Sequence, residues 1–161
     1  MPNKSVRVLG IDPGYDRLGL ALLSGDHSKQ TCAHSECFTP EKGVFEDRLL
    51  AAGKHFAQAI VAHAPDAIAL ETLFVTKNQK TAMHVAELRG VLIYEARSAG
   101  IPIFEYTPSQ VKLSVTGYGK SDKTGVSSMI EKLLALPKRK MLDDEYDAIA
   151  VALTHLVNHR S

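Results

Sequence analysis

The chain has 161 residues, 45% hydrophobic and 23% charged, with a formal net charge of +1 at neutral pH. That length suits one domain with a sizeable core, and the composition excludes the disordered, fibrous and disulfide-stapled classes. An anionic partner therefore cannot be argued from total charge. The longest uncharged apolar stretch, residues 148–157, is too short to cross a bilayer. Met-Pro-Asn-Lys-Ser at the start lacks the apolar core of a signal peptide, so the cytoplasm is the expected compartment. Cys32 and Cys37, five positions apart in a predicted strand, are expected on opposite faces and unpaired, as suits a reducing compartment. No Cys/His group has zinc spacing.

Val6 to Ile11 predicts a buried strand closed by an Asp-Pro-Gly turn. Leu18 to Leu23 predicts a second strand, close enough to pair with the first as an antiparallel hairpin, and Gln30 to Phe38 a third. Pro40 and Gly43 break the pattern. Val44 to His63 predicts an amphipathic helix with Phe45, Leu49, Ala52, Phe56 and Ile60 near one face. Ala67 to Leu70 is wholly apolar, as in a strand buried on both faces. A long helix is expected over Thr76 to Ala99, stopped by Gly100 and Pro102, then a short strand from Ile103 to Tyr106. Pro108 opens a helix to about Val115, Gly117-Tyr118-Gly119 forms a loop, and Asp122 to Leu136 forms a further helix ended by Pro137. The basic loop Lys138-Arg139-Lys140 leads into a last helix, Asp143 to His159. Three meander strands followed by alternating helix and strand predict one α/β domain over residues 1–161. The layout resembles the ribonuclease H-like architecture, a mixed five-stranded sheet with helices on both faces and the first strand central.

Four carboxylates stand where apolar elements end or begin. Asp12 closes Val-Leu-Gly-Ile, Glu71 closes Ala-Ile-Ala-Leu, and Asp144 and Asp147 open the last helix. A carboxylate beside buried apolar residues is costly unless it is exposed, paired or on a metal. Asp12 also reads as a turn residue bonding its own backbone ahead of Pro-Gly, and Glu71 as half of a structural salt bridge. Asp143 and Glu145 suit a helix-capping role, which does not explain Asp147, one turn in beside the apolar run. Both Asp144 and Asp143 can share a face with Asp147. Clustered carboxylates repel unless divalent cations neutralise them, and oxygen-only ligands suit Mg²⁺ or Mn²⁺. Two ions about 3.5–4 Å apart can activate water and stabilise a leaving oxygen in phosphoryl transfer.

Charge is unevenly distributed: from Glu105 to Lys140 there are seven Lys/Arg against three acids, and from Met141 to Arg160 four acids against one Arg. A basic segment beside an acidic cluster suits a metal site next to an anionic ligand, or merely an uneven solvated surface. Lys112, Lys120 and Lys123 flank Gly117-Tyr118-Gly119 and read either as a flexible basic loop gripping a phosphate or as surface lysines around a turn. Gly119-Lys120-Ser121 is no P-loop, because Ser114 occupies the position of its first glycine. Phe74, in the loop after Glu71, can stack on an unpaired base, wedge strands apart or staple the following helix. His155, two turns along from Asp147, reads as structural.

As a set, Gly-Ile-Asp-Pro-Gly, Glu71 with Phe74 and Lys77-Asn78, Arg89-Gly90-Val91, Phe104-Glu105-Tyr106, Gln110-Val111-Lys112, Lys123, and Asp147 through His155 resemble the RuvC family of Holliday-junction endonucleases over nearly the whole chain. The resemblance implies Asp12, Glu71, Asp144 and Asp147 as catalytic carboxylates holding Mg²⁺, with two ions per site. It implies Lys112 and Lys123 as phosphate or catalytic support and Phe74 as the residue stacking at the junction. Lys77, Tyr118 and Lys120 join the expected DNA contacts. Tyr118 departs from the smaller or aliphatic residue usual there, and Asp143 is an extra acid. The resemblance further implies a homodimer nicking two strands of like polarity across a four-way junction, and a branch-migration motor of the RuvA and RuvB type as partner. A two-fold substrate cut twice calls for a two-fold enzyme, and Ala82, Val85, Ala86 and Val91 are the small apolar interface candidates. The competing readings are a ribonuclease H-like nuclease acting on another structured nucleic acid, an inert junction-binding module, and an actin-like ATP-binding domain, for which the chain is too short.

Overall fold

The computed structural model describes residues 5–73 and 78–159. The elements run β1 (Val6–Asp12), β2 (Leu18–Gly25), β3 (Gln30–Phe38), α1 (Phe45–His63), β4 (Ala67–Glu71), α2 (Gln79–Ser98), β5 (Ile103–Tyr106), α3 (Pro108–Thr116), α4 (Lys123–Leu133) and α5 (Asp143–Asn158). The helix boundaries tighten where capping residues act. Asn78 caps α2 by accepting from Thr81 N at 3.2 Å, and Asp122 caps α4 by accepting from Gly125 N at 2.7 Å. Both helices therefore start later than apolar periodicity suggests. At α3 the Thr107 and Gln110 side chains cap reciprocally ahead of Pro108.

The five strands form one sheet in the order β3-β2-β1-β4-β5. The β1–β2 and β2–β3 pairs are antiparallel, while β1–β4 and β4–β5 are parallel. Strand β1 is central, and β4 leaves the sheet at the same end. This is the expected ribonuclease H-like sheet with helices on both faces. Residues Leu9, Ile11, Leu20 and Leu70 pack on one face with Phe56 of α1 and Leu88 and Leu92 of α2. Residues Val8, Ala21, Leu23 and Ala69 pack on the other with α3, α4 and α5. Helix α5 is buried almost all round from Ala148 to Leu156, because it lies between the sheet and two covering helices.

Two glycines let α5 come this close. A Cβ on Gly10 would stand 2.1 Å from the Ala148 carbonyl oxygen, and one on Gly19 would stand 2.1 Å from that of Asp144. The helix backbone thus rests directly on β1 and β2.

The sheet corrects one expectation. A bulge on β3 pairs Cys32 with Leu23 but His34 with Leu22, so Ala33 is the extra residue. The slip of one residue puts Cys32, opposite Leu23, and Cys37, opposite Gly19, on the same α5-facing side. Both remain free thiols, because their partners on β2 are four residues apart, about 13 Å along the strand.

Candidate active site

Strand alternation fixes where the two strand-end acids point. Val8, Gly10 and Asp12 alternate onto the α5 face of β1, and Ala67, Ala69 and Glu71 onto that of β4. Ile11 pairs with Leu70, so Asp12 and Glu71 emerge side by side. Helix α5, seated on Gly10 and Gly19, brings Asp147 and Asp144 to the same end. A cavity of about 280 Å³ is lined by Asp12, Glu71 and Asp147, by Lys112 of α3 and Lys123 of α4, and by Pro108, Val111, Val126 and Ala150. A smaller one of about 140 Å³ lies on the other side of Asp12 and Glu71, bounded by Val85 and Arg89 of α2. Arg89 is buried and holds this end of the sheet together, donating to the Glu71 carbonyl and pairing with Glu105.

The electrostatics are those of crowded acids. Asp12 is pushed up to about 7, first by burial and then by Asp147, Asp144 and Glu71, with Lys123 opposing. Burial and Asp147 raise Glu71, with Lys112 and Lys123 pulling it down. Burial also raises Asp147, against Lys123, whose Nζ lies 3.5 Å from Asp147 Oδ2. The Lys123 ammonium is held above its ordinary range by that carboxylate.

Asp144 behaves differently. Its carboxylate does not line the larger cavity. Oδ2 is buried without a hydrogen-bond partner, and Arg17 Nε stands 3.1 Å away without hydrogen-bond alignment. Asp143 is exposed and Glu145 is buried. Glu145 accepts from Leu142 N at 3.0 Å and from Arg139, and is held below its ordinary range by those bonds. The capping reading therefore fits Glu145, and of the two neighbouring aspartates Asp144 is the one turned toward β1 and β2.

Among the described residues no three acid, imidazole or thiol groups already surround one point at ligand distance. The donor set nevertheless fits a hard divalent cation. It is all oxygen, it lies at one end of the sheet, Asp12 resists ionisation alone, and Asp144 carries an unsatisfied buried oxygen.

The structure brings Asp12, Glu71, Asp147, Lys112 and Lys123 together around one cavity. It leaves Tyr118 and Lys120 exposed on the α3–α4 turn, outside that lining. The turn is pinned rather than loose: Thr116 Oγ1 donates to the Lys112 carbonyl at 2.8 Å, accepts from Tyr118 N at 3.1 Å and meets Ser121 Oγ at 2.6 Å. Phe74 and Lys77 lie outside the described residues. His155 is buried, with Nδ1 2.8 Å from the Tyr106 hydroxyl, and burial lowers it to about 4, so it packs as a neutral ring. Sequence reasoning gave no role to Gly10, Gly19, Arg17 or Arg89. Gly10 and Arg89 fell within the motifs that carry the resemblance, Gly19 stood out only as a small residue inside a predicted strand, and Arg17 left no signal.

A central strand and its parallel neighbour that deliver acids to one cation-suited, lysine-rimmed cavity define a ribonuclease H-like nuclease. Residues 8–155 match the family model for crossover junction endodeoxyribonuclease RuvC. The chain is 41% identical to the RuvC of Ruminiclostridium cellulolyticum, covering 95% of this chain and 93% of that one. It is 38% identical to that of Syntrophomonas wolfei, covering 96% and 91%. A solved structure of Thermus thermophilus RuvC with a Holliday junction substrate superposes with a TM-score of 0.87 at 29% identity, over 93% of this chain and 92% of that one. The yeast mitochondrial resolvase Ydc2, at 15% identity and a TM-score of 0.70, shares the fold. The chain belongs to the RuvC family of crossover junction endodeoxyribonucleases, DNA-cleaving hydrolases that depend on a divalent metal.

Proposed function

We propose that this protein resolves Holliday junctions by nicking two strands of like polarity symmetrically, in DNA recombination and repair. The observation that carries this reading is the meeting of Asp12, Glu71 and Asp147 with Lys112 and Lys123 around one cavity. Asp12, Glu71, Asp144 and Asp147 are the catalytic carboxylates that hold the metal. They would hold two Mg²⁺ ions, or Mn²⁺ as a substitute, which would supply water activation and charge stabilisation at the leaving oxygen. Lys112 and Lys123 meet the phosphate at the cavity wall, and Lys123 also holds Asp147 in place. Tyr118 and Lys120 on the adjoining turn, and Lys77 and Phe74 beyond Glu71, extend the contact to the DNA, with Phe74 stacking at the branch point.

The substrate's two-fold symmetry supports a homodimer, with a RuvA- and RuvB-type motor as partner and the cytoplasm as the compartment. Of the interface candidates, Val91 packs toward Gly53 of α1 and Val85 lines the smaller cavity. Ala82 is half-buried, and Ala86 lies on an exposed stripe of α2 with Met83, Gly90 and Tyr94, to which we assign the dimer contact. We take residues 1–161 to form one nuclease domain.

The test is a synthetic immobile four-way junction with Mg²⁺, with cuts mapped on each labelled strand. Paired symmetric nicks, lost in EDTA and in Asp12→Asn, Glu71→Gln and Asp147→Asn while junction binding persists, are expected. Wild-type turnover by any of the three would overturn the site. Lys112→Ala should weaken junction binding and reduce the salt slope by about one, and an unchanged slope removes Lys112 from the phosphate contacts.

A further inference from the structure

Of the four acids at this end of the sheet, Asp144 alone is paired with Arg17 and does not line the main cavity. Asp144 is fixed at the backbone, where Gly19 lets its carbonyl sit against β2. Its carboxylate is only 16% exposed and stands outside the cavity lined by Asp12, Glu71 and Asp147. Arg17 ends the turn that begins at Asp12, and its Nε is 3.1 Å from Asp144 Oδ2. Among the described residues no other acid pairs with Arg17, whose side chain is 50% exposed. The contact is weak by its geometry: Oδ2 is buried but receives no aligned hydrogen bond. A half-exposed guanidinium returns to water at little cost, whereas a buried, under-satisfied carboxylate oxygen gains from a better partner.

We propose that Arg17 is a positioning residue that parks the Asp144 carboxylate outside the cavity and yields it to a divalent cation, so that breaking this ion pair sets the affinity of the Asp144-dependent cation. This rests on the reading of Asp144 as a metal ligand. On it, three acids suffice for one ion, and the fourth is recruited only when a second ion competes successfully with the guanidinium. A cation that reaches Asp144 also releases Arg17 to solvent.

The test is Mn²⁺ titration of the full chain without DNA, with free Mn²⁺ read by electron paramagnetic resonance. Wild type, Arg17→Ala, Arg17→Gln, Asp144→Asn, the Arg17→Ala/Asp144→Asn double variant and Asp12→Asn are compared, each checked for folding by thermal melting. Asp144→Asn should lose one class of Mn²⁺ sites. Arg17→Ala and the closer isostere Arg17→Gln should tighten that class by about fivefold, the ceiling for an ion pair this exposed. In the Asp144→Asn background the same change should leave the remaining class within about twofold. Equal tightening in both backgrounds would reduce Arg17 to a nearby charge and overturn the proposal. Unchanged or weaker binding in both Arg17 variants would also overturn it. Asp12→Asn retaining all wild-type Mn²⁺ binding would instead defeat the site assignment itself, and is distinguishable because it does not involve Arg17.

Discussion

Asp12 illustrates what a crowded acid does to the metal-free protein. Its folded pKa is about 7 against an ordinary 3.8. Between those values the folded chain keeps a proton that the unfolded chain has released, so metal-free stability falls as pH rises through that window. A bound cation replaces the proton and reverses the trend. Asp12→Asn in EDTA should therefore melt above wild type at pH 8, by an equivalent of about 1–3 kcal/mol, and the gap should close toward pH 4. A gap independent of pH, followed by thermal denaturation, would show that Asp12 ionises freely. That Asp12, Glu71 and Asp147 line one cavity was foreshadowed because each stands at the edge of an apolar run, although a turn role for Asp12 and a salt bridge for Glu71 read equally well from the sequence. Arg17 was not, because its partner lies at the other end of the chain and nothing local marks the pairing.

At the scale of elements the decisive object is α5. Periodicity and its acidic first turn predicted the helix, but not the two glycines beneath it. Gly19→Ala places a methyl against the Asp144 carbonyl with no flexible side chain to give way. It should cost more than about 2 kcal/mol, read by urea denaturation, and should lower cleavage beyond what stability explains, because α5 carries two of the acids. Arg139 supports the same helix from the preceding loop, donating to Glu145 at 2.7 Å and to the Ser35 carbonyl at 3.0 Å. Arg139→Ala leaves Glu145 with Leu142 N and Ser35 Oγ as donors and should destabilise by about 1–2 kcal/mol, and no measurable loss would mean that water replaces the guanidinium. The bulge at Ala33 was hidden for a related reason. Sequence alternation cannot register one extra residue in an edge strand, so the faces of Cys32 and Cys37 came out reversed while the conclusion that they stay unpaired held.

Over the whole molecule, strand order and helix layering followed from the pattern of elements, since a meander followed by alternating helix and strand leaves few ways to close a five-stranded mixed sheet. The free surface of α2 was harder to foresee, because inner and outer faces of that helix both carry small apolar residues. Met83 is 63% exposed and Tyr94 69% exposed on the stripe assigned to the dimer. The double change Met83→Glu/Tyr94→Glu should leave the fold intact and shift sedimentation toward a monomer. Paired nicks should then become single or vanish. A dimer that survives the change would move the interface elsewhere.

The docking of α5 also orders events in time. The acids at residues 12 and 71 are made early, but they gain their partners only when residues 143–158 have been synthesised and have seated on Gly10 and Gly19. A nascent chain, or a fragment broken before that helix, lacks half of its acids and the surface that gathers them. On the proposed site, cleavage should therefore be absent from a chain truncated before α5.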